Sequence, residues 1–185
     1  MREFVAVLDY GSQYAQLVSR RIRECGVYCE IVPHDISAHE LVGMAPKAVV
    51  LSGGPASVLE PGYPGIDPGI FELGVAVLGI CYGLQLTAKV LGGVLERGRS
   101  REYGPAVLSV DHAGKLFEGM PDTLDVWMSH GDHVSVPPAG FKVLAHTSSC
   151  EVAAMGHEER RIYGVQFHPE VAHTPRGKEI LENFL

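Results

Sequence analysis

Four short stretches of this chain are apolar almost without interruption: FVAVLDY (Phe4 to Tyr10), YCEIVP (Tyr28 to Pro33), AVVLSGG (Ala48 to Gly54) and VAVLGIC (Val75 to Cys81). A strand with one face in water alternates apolar and polar residues, whereas a strand covered on both faces has no such need. The four runs therefore read as parallel strands inside a layered core. Between the first two lies SQYAQLVSRRIRECG, in which Tyr14, Leu17, Val18 and Ile22 recur at helical spacing and Gly26 stands where a helix would end. Strand, helix, strand in that order implies a parallel sheet with right-handed crossovers.

Beyond Gly93 the pattern shortens into PAVLSV, LDVWMSHGDHV, FKVLAHT, EVAAMGHEE and RIYGVQFHPE, which suggest antiparallel additions to the sheet. The last stretch, TPRGKEILENFL, predicts a helix with Thr174 as N-cap, Pro175 at its first position and an apolar stripe of Ile180, Leu181, Phe184 and Leu185, cut off at Leu185. The prolines and glycines of EPGYPGIDPG (Glu60 to Gly69) deny it regular structure and predict an extended loop. With no repeats, low-complexity tracts or clear linkers, residues 1–185 read as one domain. Its expected class is α/β, an open, mostly parallel, doubly wound sheet with antiparallel additions in the C-terminal half.

A chain of 185 residues that is 46% hydrophobic can bury a substantial core without a covalent staple. Its 15 Lys and Arg against 22 Asp and Glu give a net charge of −7, which argues against nucleic acid or an anionic membrane as the main partner. The opening MREFVAVLDYGS reaches Asp9 too soon to resemble a signal peptide or a membrane span, so a cytoplasmic location is expected. In that reducing setting the four cysteines read as free thiols, with Cys25, Cys29 and Cys150 as packing or surface residues. Cys25 and Cys29 have no second close pair, and His130 and His133 have no clear third ligand, so no metal site is expected.

The join between the fourth strand and the next helical pattern is Gly79-Ile80-Cys81-Tyr82-Gly83. A residue at a sharp strand-to-helix turn is presented at the carboxyl edge of the sheet, and small residues two positions either side let the backbone turn tightly. The helix behind it aims its dipole and free N–H groups at the same place, favouring a thiolate and a developing oxyanion. On this stretch alone Cys81 also suits a small apolar residue closing a buried strand. A thiol with an ordinary pKa of about 8.5 needs a base. YGVQFHPEV supplies one: a strand pattern delivers His168, Pro169 holds it extended, and Glu170, two residues on, shares its face. That is a Cys-His-Glu arrangement. LSGGPASV, at another strand end, could bring a backbone N–H up to a substrate carbonyl, or could be an ordinary turn. In an open parallel sheet the carboxyl ends of neighbouring strands share one crevice, which favours the first reading.

GICYGLQ, GVQFHPE and SGGP, in their positions along the chain, resemble the nucleophile, His-x-Glu and oxyanion motifs of the class I glutamine amidotransferases, whose fold is flavodoxin-like. LDYGSQYAQLVSRRIRE, REYGPA and WMSHGDHV are most similar to the amidotransferase part of the GMP synthetase branch. The resemblance implies hydrolysis of glutamine to glutamate and ammonia through a glutamyl thioester. Cys81 would be the nucleophile, His168 the acid–base and Glu170 its support. The N–H groups of Gly54 and Tyr82 would form the oxyanion hole, and Gly53, Pro55, Gln85, Ser129, His130, Gly131 and Asp132 would line the glutamine pocket. It implies no cofactor for this step. The partner it implies is an ATP pyrophosphatase domain or subunit, which would use ATP and magnesium to convert XMP to GMP. Relatives continue into that domain, so the chain reads as an excised domain or as the amidotransferase of a two-subunit enzyme. Glu60 to Gly69 and Arg97 to Tyr103 are candidate contact segments. The competing expectations are a Cys-His hydrolase of other γ-glutamyl compounds and a non-catalytic partner-binding module.

Overall fold

Strand β1 (Val5–Asp9) shows why the continuous apolar pattern arises: Val5 and Val7 belong to one core, and Ala6 and Leu8 to another on the opposite face. In the computed structural model, which describes residues 3–185, the elements follow in the order β1, α1 (Ser12–Glu24), β2 (Cys29–Pro33), α2 (Ala38–Met44), β3 (Ala48–Leu51) and β4 (Ala76–Ile80). Then come α3 (Tyr82–Val90), β5 (Val94–Val110), β6 (Thr123–Val136), β7 (Lys142–His146), β8 (Ala154–His157), β9 (Ile162–Val165) and α4 (Gly177–Phe184). Among the described residues, one nine-stranded sheet of order β2-β1-β3-β4-β9-β8-β7-β5-β6 holds every strand. The β2, β1, β3, β4 and β9 strands pair in parallel, and β8, β7, β5 and β6 continue the sheet antiparallel; β9, expected from RIYGVQFHPE as an antiparallel addition, instead joins the parallel set beside β4 and meets only β8 antiparallel.

The helices cover the two faces. On one, Ala15, Val18 and Ile22 of α1 pack with Ile180, Leu181 and Phe184 of α4; on the other lie Leu41 of α2 and Leu84, Leu86 and Ala88 of α3. Each fully buried aliphatic side chain here contributes roughly 1.5–3 kcal/mol by leaving water. Gly26 ends α1 as its pattern predicts: with φ 79° it lets the Val27 N–H bond the Ile22 carbonyl at 3.3 Å and its own N–H bond Arg23 at 2.9 Å, the paired bonds of a Schellman cap. Among the described residues no helix is long and apolar enough to cross a membrane.

The final helix departs from its predicted start. It begins at Gly177 rather than at Pro175, because the Thr174 hydroxyl is occupied elsewhere: it donates to the His168 carbonyl at 2.6 Å and accepts from the Trp127 N–H at 3.0 Å. Gly177 itself lies so close to the preceding loop that a Cβ would stand 2.0 Å from the Pro169 carbonyl oxygen. The stripe of Ile180, Leu181 and Phe184 is buried as expected, with Leu185 packed at its margin. Glu60 to Gly69 is an irregular loop whose last two residues open a 3₁₀ turn, Pro68–Glu72.

The long β5–β6 ribbon walls one side of the cleft at the carboxyl edge of the parallel strands. Its pairing jumps from Arg97↔Asp132 to Glu102↔His130, so residues 98–101 of one strand stand opposite Gly131 of the other. An insertion of this kind bends a ribbon.

Candidate active site

Cys81 stands between the end of β4 and the start of α3 with φ 51° and ψ −102°, a backbone conformation that side chains other than glycine seldom adopt. The glycines two residues either side are steric necessities. A Cβ on Gly79 would lie 2.4 Å from the Gly83 carbonyl oxygen, and one on Gly83 would lie 2.4 Å from that of Leu51. The turn is fixed to the neighbouring strand by the Cys81 N–H, which donates to Val165 at 2.8 Å. The Tyr82 N–H opens α3, where no carbonyl of its own helix can accept from it.

β9 lies beside β4 in register, Gly79 opposite Gly164 and Ile80 opposite Val165, so the chain leaving β9 passes the thiol. His168 and Glu170 follow on that segment. Both are buried, and His168 Nδ1 lies 2.7 Å from Glu170 Oε1. His168 Nε2 is also buried and forms no hydrogen bond of acceptable geometry, although the Cys81 thiol is close enough to act on it electrostatically. The sulfur is oriented by other partners, donating toward the Ser129 carbonyl at 3.4 Å and receiving the Gln166 amide at 3.6 Å. Burial alone would disfavour a charged imidazole. The Glu170 hydrogen bond and the electrostatic pull of the Cys81 sulfur and the Glu170 carboxylate outweigh it and hold His168 well above the ordinary histidine range.

A cleft of about 230 Å³ opens in front of the sulfur. Gly54, Pro55, Tyr82, Gln85, Ser129, His130, Gly131 and Asp132 all line it. Gly53 does not; it sits against the His168 ring, where a Cβ would come within 3.1 Å of Cε1. Gln85 is tied by its amide to the Asp132 carbonyl at 2.8 Å and to Gln166 Oε1 at 3.1 Å. His130 is held from both sides, with Nδ1 2.9 Å from the Asp132 carbonyl and Nε2 2.7 Å from Glu102 Oε2, and it faces no cluster of ligands. Among the described residues no group of three or more His, Cys, Asp or Glu is placed to hold a metal ion. All four cysteines are free thiols.

Several residues at this site escape a reading of motifs. Tyr14 of α1, expected only as part of an apolar stripe, stacks on the His168 ring with centroids 5.5 Å apart and planes 28° from parallel. Seven residues along the same helix, Arg21 donates through Nε to the Glu170 carbonyl at 3.0 Å. Gln166 could have been found by parity, since residues two apart in an extended chain share a face with His168. Ser57, Glu60, Arg97 and Arg101 complete the cleft wall. Ser57 donates to the Asp132 carboxylate, and Arg97 pairs with Glu60 across the mouth. A larger cavity of about 630 Å³ lies among His112, Lys142, His157, Glu158 and Glu159, but none of its lining residues is a cysteine, serine or threonine.

The glutamine amidotransferase class-I family matches residues 6–185. The chain is 53% identical over 184 residues to the glutamine-hydrolyzing GMP synthase of Natranaerobius thermophilus, covering 100% of this chain and 36% of that protein. It is 55% identical over 184 residues to the enzyme of the same name from Staphylococcus carnosus, with the same coverage. The chain thus spans about a third of the length of these curated relatives. Among solved structures, it is similar to a Thermoplasma acidophilum protein provisionally named as one of the subunits of GMP synthase, with a TM-score of 0.89, 34% identity and coverage of 100% and 92% of the two chains. A glutamine amidotransferase from Thermotoga maritima shares the fold, with a TM-score of 0.78 at 20% identity over 100% and 96% of the chains.

Proposed function

The chain belongs to the class I glutamine amidotransferases, and from that premise we propose that residues 1–185 act as a single glutaminase domain supplying ammonia to a GMP-forming synthetase. The observation that carries the chemistry is a strained cysteine at a strand-to-helix turn with a buried His168–Glu170 pair beside it.

Cys81 Sγ, its proton transferred to His168 Nε2, attacks the side-chain amide carbon of glutamine. The electron pair of the C=O bond moves onto oxygen, and the backbone N–H groups of Gly54 and Tyr82 receive the resulting charge. Each such donor is worth roughly 3 kcal/mol at the transition state. The tetrahedral centre collapses as His168 returns its proton to the departing nitrogen, releasing ammonia and leaving a glutamyl thioester. Water then gives a proton to His168 and its oxygen to the acyl carbon, and the thiolate leaves glutamate behind. Glu170 steadies the imidazolium in both halves of the cycle. Gly53 gives the His168 ring room, while Pro55, Gln85, Ser129, His130, Gly131 and Asp132 shape the amide and amino-acid end of the pocket.

Nucleophile, acid–base and oxyanion donors all come from this chain, so the glutaminase step takes no cofactor. ATP and magnesium belong to an ATP pyrophosphatase domain or subunit, in which ammonia would displace the adenylyl group of activated XMP. Support for that partner comes from relatives named GMP synthase, of which this chain spans 36%. A reducing cytoplasm suits four unpaired thiols, one of them the nucleophile.

Ammonia release from glutamine, measured with and without a synthetase partner loaded with ATP, magnesium and XMP, tests the proposal against a Cys81→Ala control. The expected result is Cys81-dependent release that rises with the loaded partner. Preference for γ-glutamyl peptides over glutamine, or no release with a competent loaded partner, would overturn it.

A further inference from the structure

Loop 58–67 is fastened to the strand ends around the cysteine turn by side-chain hydrogen bonds. Tyr82, the residue after the nucleophile, is 1% exposed, and its phenol donates to the Pro64 carbonyl. Tyr10, 6% exposed, donates to the next carbonyl, Gly65, at 3.2 Å. The two rings lie together, centroids 5.2 Å apart at 40°. Burial pushes both phenols up, beyond any physiological titration, so both remain donors. The ends of the loop are held separately, by Lys89 Nζ donating to the Val58 carbonyl and the Ala38 N–H donating to Asp67 at 2.8 Å. The tyrosines hold its middle.

Each tyrosine also bears on one side of the oxyanion hole. Tyr82 carries one of the two N–H groups in its own backbone. Tyr10 supports the other: a Cβ on Gly54 would stand 2.3 Å from the Tyr10 carbonyl oxygen, so the Gly54 backbone rests on the Tyr10 backbone. The Tyr10 N–H in turn bonds the Ser52 hydroxyl at 3.0 Å, and that hydroxyl donates to the Gly53 carbonyl at 2.9 Å. Two donors from different strand ends are thus referred to two adjacent carbonyls of one loop.

We propose that Tyr82 and Tyr10 are positioning residues for the oxyanion hole, setting the separation of the Gly54 and Tyr82 N–H groups by gripping the Pro64 and Gly65 carbonyls. The inference rests on the assignment of those two N–H groups under the proposed function. Oxyanion donors act through exact placement relative to a charge present only in the transition state, so a loosened grip lowers turnover more than binding. It leaves the thiol as reactive as before.

Tyr82→Phe and Tyr10→Phe keep the rings and remove the bonds. Tyr163→Phe is the structural control, since it loses a similarly buried phenol, bonded to Glu158 at 2.7 Å, on the opposite core from the loop. In the intact protein, Tyr82→Phe is expected to lower kcat about tenfold with KM for glutamine within about twofold, and Tyr10→Phe to do the same more weakly. Iodoacetamide alkylation of Cys81, which forms no oxyanion, should keep its wild-type rate in both, and Tyr163→Phe should keep kcat. Amide hydrogen exchange should quicken at Gly53, Gly54 and residues 82–85 together with the loop. Unchanged kcat, alkylation falling in step with kcat, or faster exchange confined to the loop would each overturn the inference. A wild-type protein with no Cys81-dependent glutaminase would instead sink the reading beneath it, and the exchange measurement would still decide whether the grip exists.

Discussion

The parallel and antiparallel halves of the sheet contribute to the cleft in different ways. The parallel half works through strand ends: Gly53 and Gly54 after β3, Cys81 after β4 and His168 after β9 arrive at one edge because their strands run in register. Backbone contacts with no room for a Cβ hold them there, as at Gly79 and Gly83. The antiparallel half works through the middle of a ribbon, where residues 98–101 bulge opposite Gly131 and lay Ser129 to Asp132 along the cleft. Backbone geometry fixes the groups proposed to react, and an irregular ribbon shapes the room around them. Substitutions in the first half should therefore act on kcat and stability, and those in the second on KM.

Glu170→Ala should have the largest effect, a fall in kcat of about 10²–10⁴-fold with KM little changed, measured by steady-state ammonia release. A comparable rise in KM would break the division. Gly83→Ala should cost about 3 kcal/mol in urea unfolding, because its Cβ collides with the Leu51 carbonyl, whereas Gly131→Ala, whose Cβ meets nothing nearer than Arg101 Cγ at 3.5 Å, should stay within about 1 kcal/mol. Equal costs would show that the ribbon is as tightly specified as the turn. Glu102→Ala releases His130 Nε2 and the Ser149 hydroxyl, and is expected to raise KM about three- to tenfold with kcat within about twofold. A kcat effect would move His130 into the reacting machinery.

The smallest effect is in pH dependence. His168 has its folded pKa raised by Cys81 and Glu170 against the opposing effect of burial, so its stabilising contribution is complete below the unfolded value of about 6.5 and is lost as pH rises through the folded value. The gap in unfolding free energy between wild type and His168→Asn should be widest at mildly acid pH and narrow on the alkaline side. A gap that widens with rising pH would reverse the assigned sign.

The same division explains what the amino-acid sequence disclosed. Cys81, His168 and Glu170 were legible because each sits in a local pattern, a Gly-x-Cys-x-Gly turn or a His-Pro-Glu strand end, whose geometry follows from nearby residues. So were β1 to β4, to within a few residues, whereas β9, read from RIYGVQFHPE as an antiparallel addition, pairs in parallel with β4, because pairing direction is set between strands rather than within one. Tyr14 was not, since its ring meets His168 only after the fold closes, and helical spacing alone assigned it to the core. Thr174 looked like a helix cap because the side chain that caps can equally tie two distant segments together, and here it does the latter. The β5–β6 bulge left no local signal, as register is set between strands rather than within one.

Trp127 is the only tryptophan in the chain, and both its backbone polar groups are bonded to the segment that carries His168. Its carbonyl accepts from the His168 N–H at 3.0 Å, its N–H donates to Thr174, and its indole lies 4.5 Å, centroid to centroid, from the His173 ring. The protein therefore carries its own optical reporter. Indole emission responds to the groups packed against the ring, so any rearrangement that shifts His173 over Trp127 is written into the fluorescence of a single residue, without a label and without turnover.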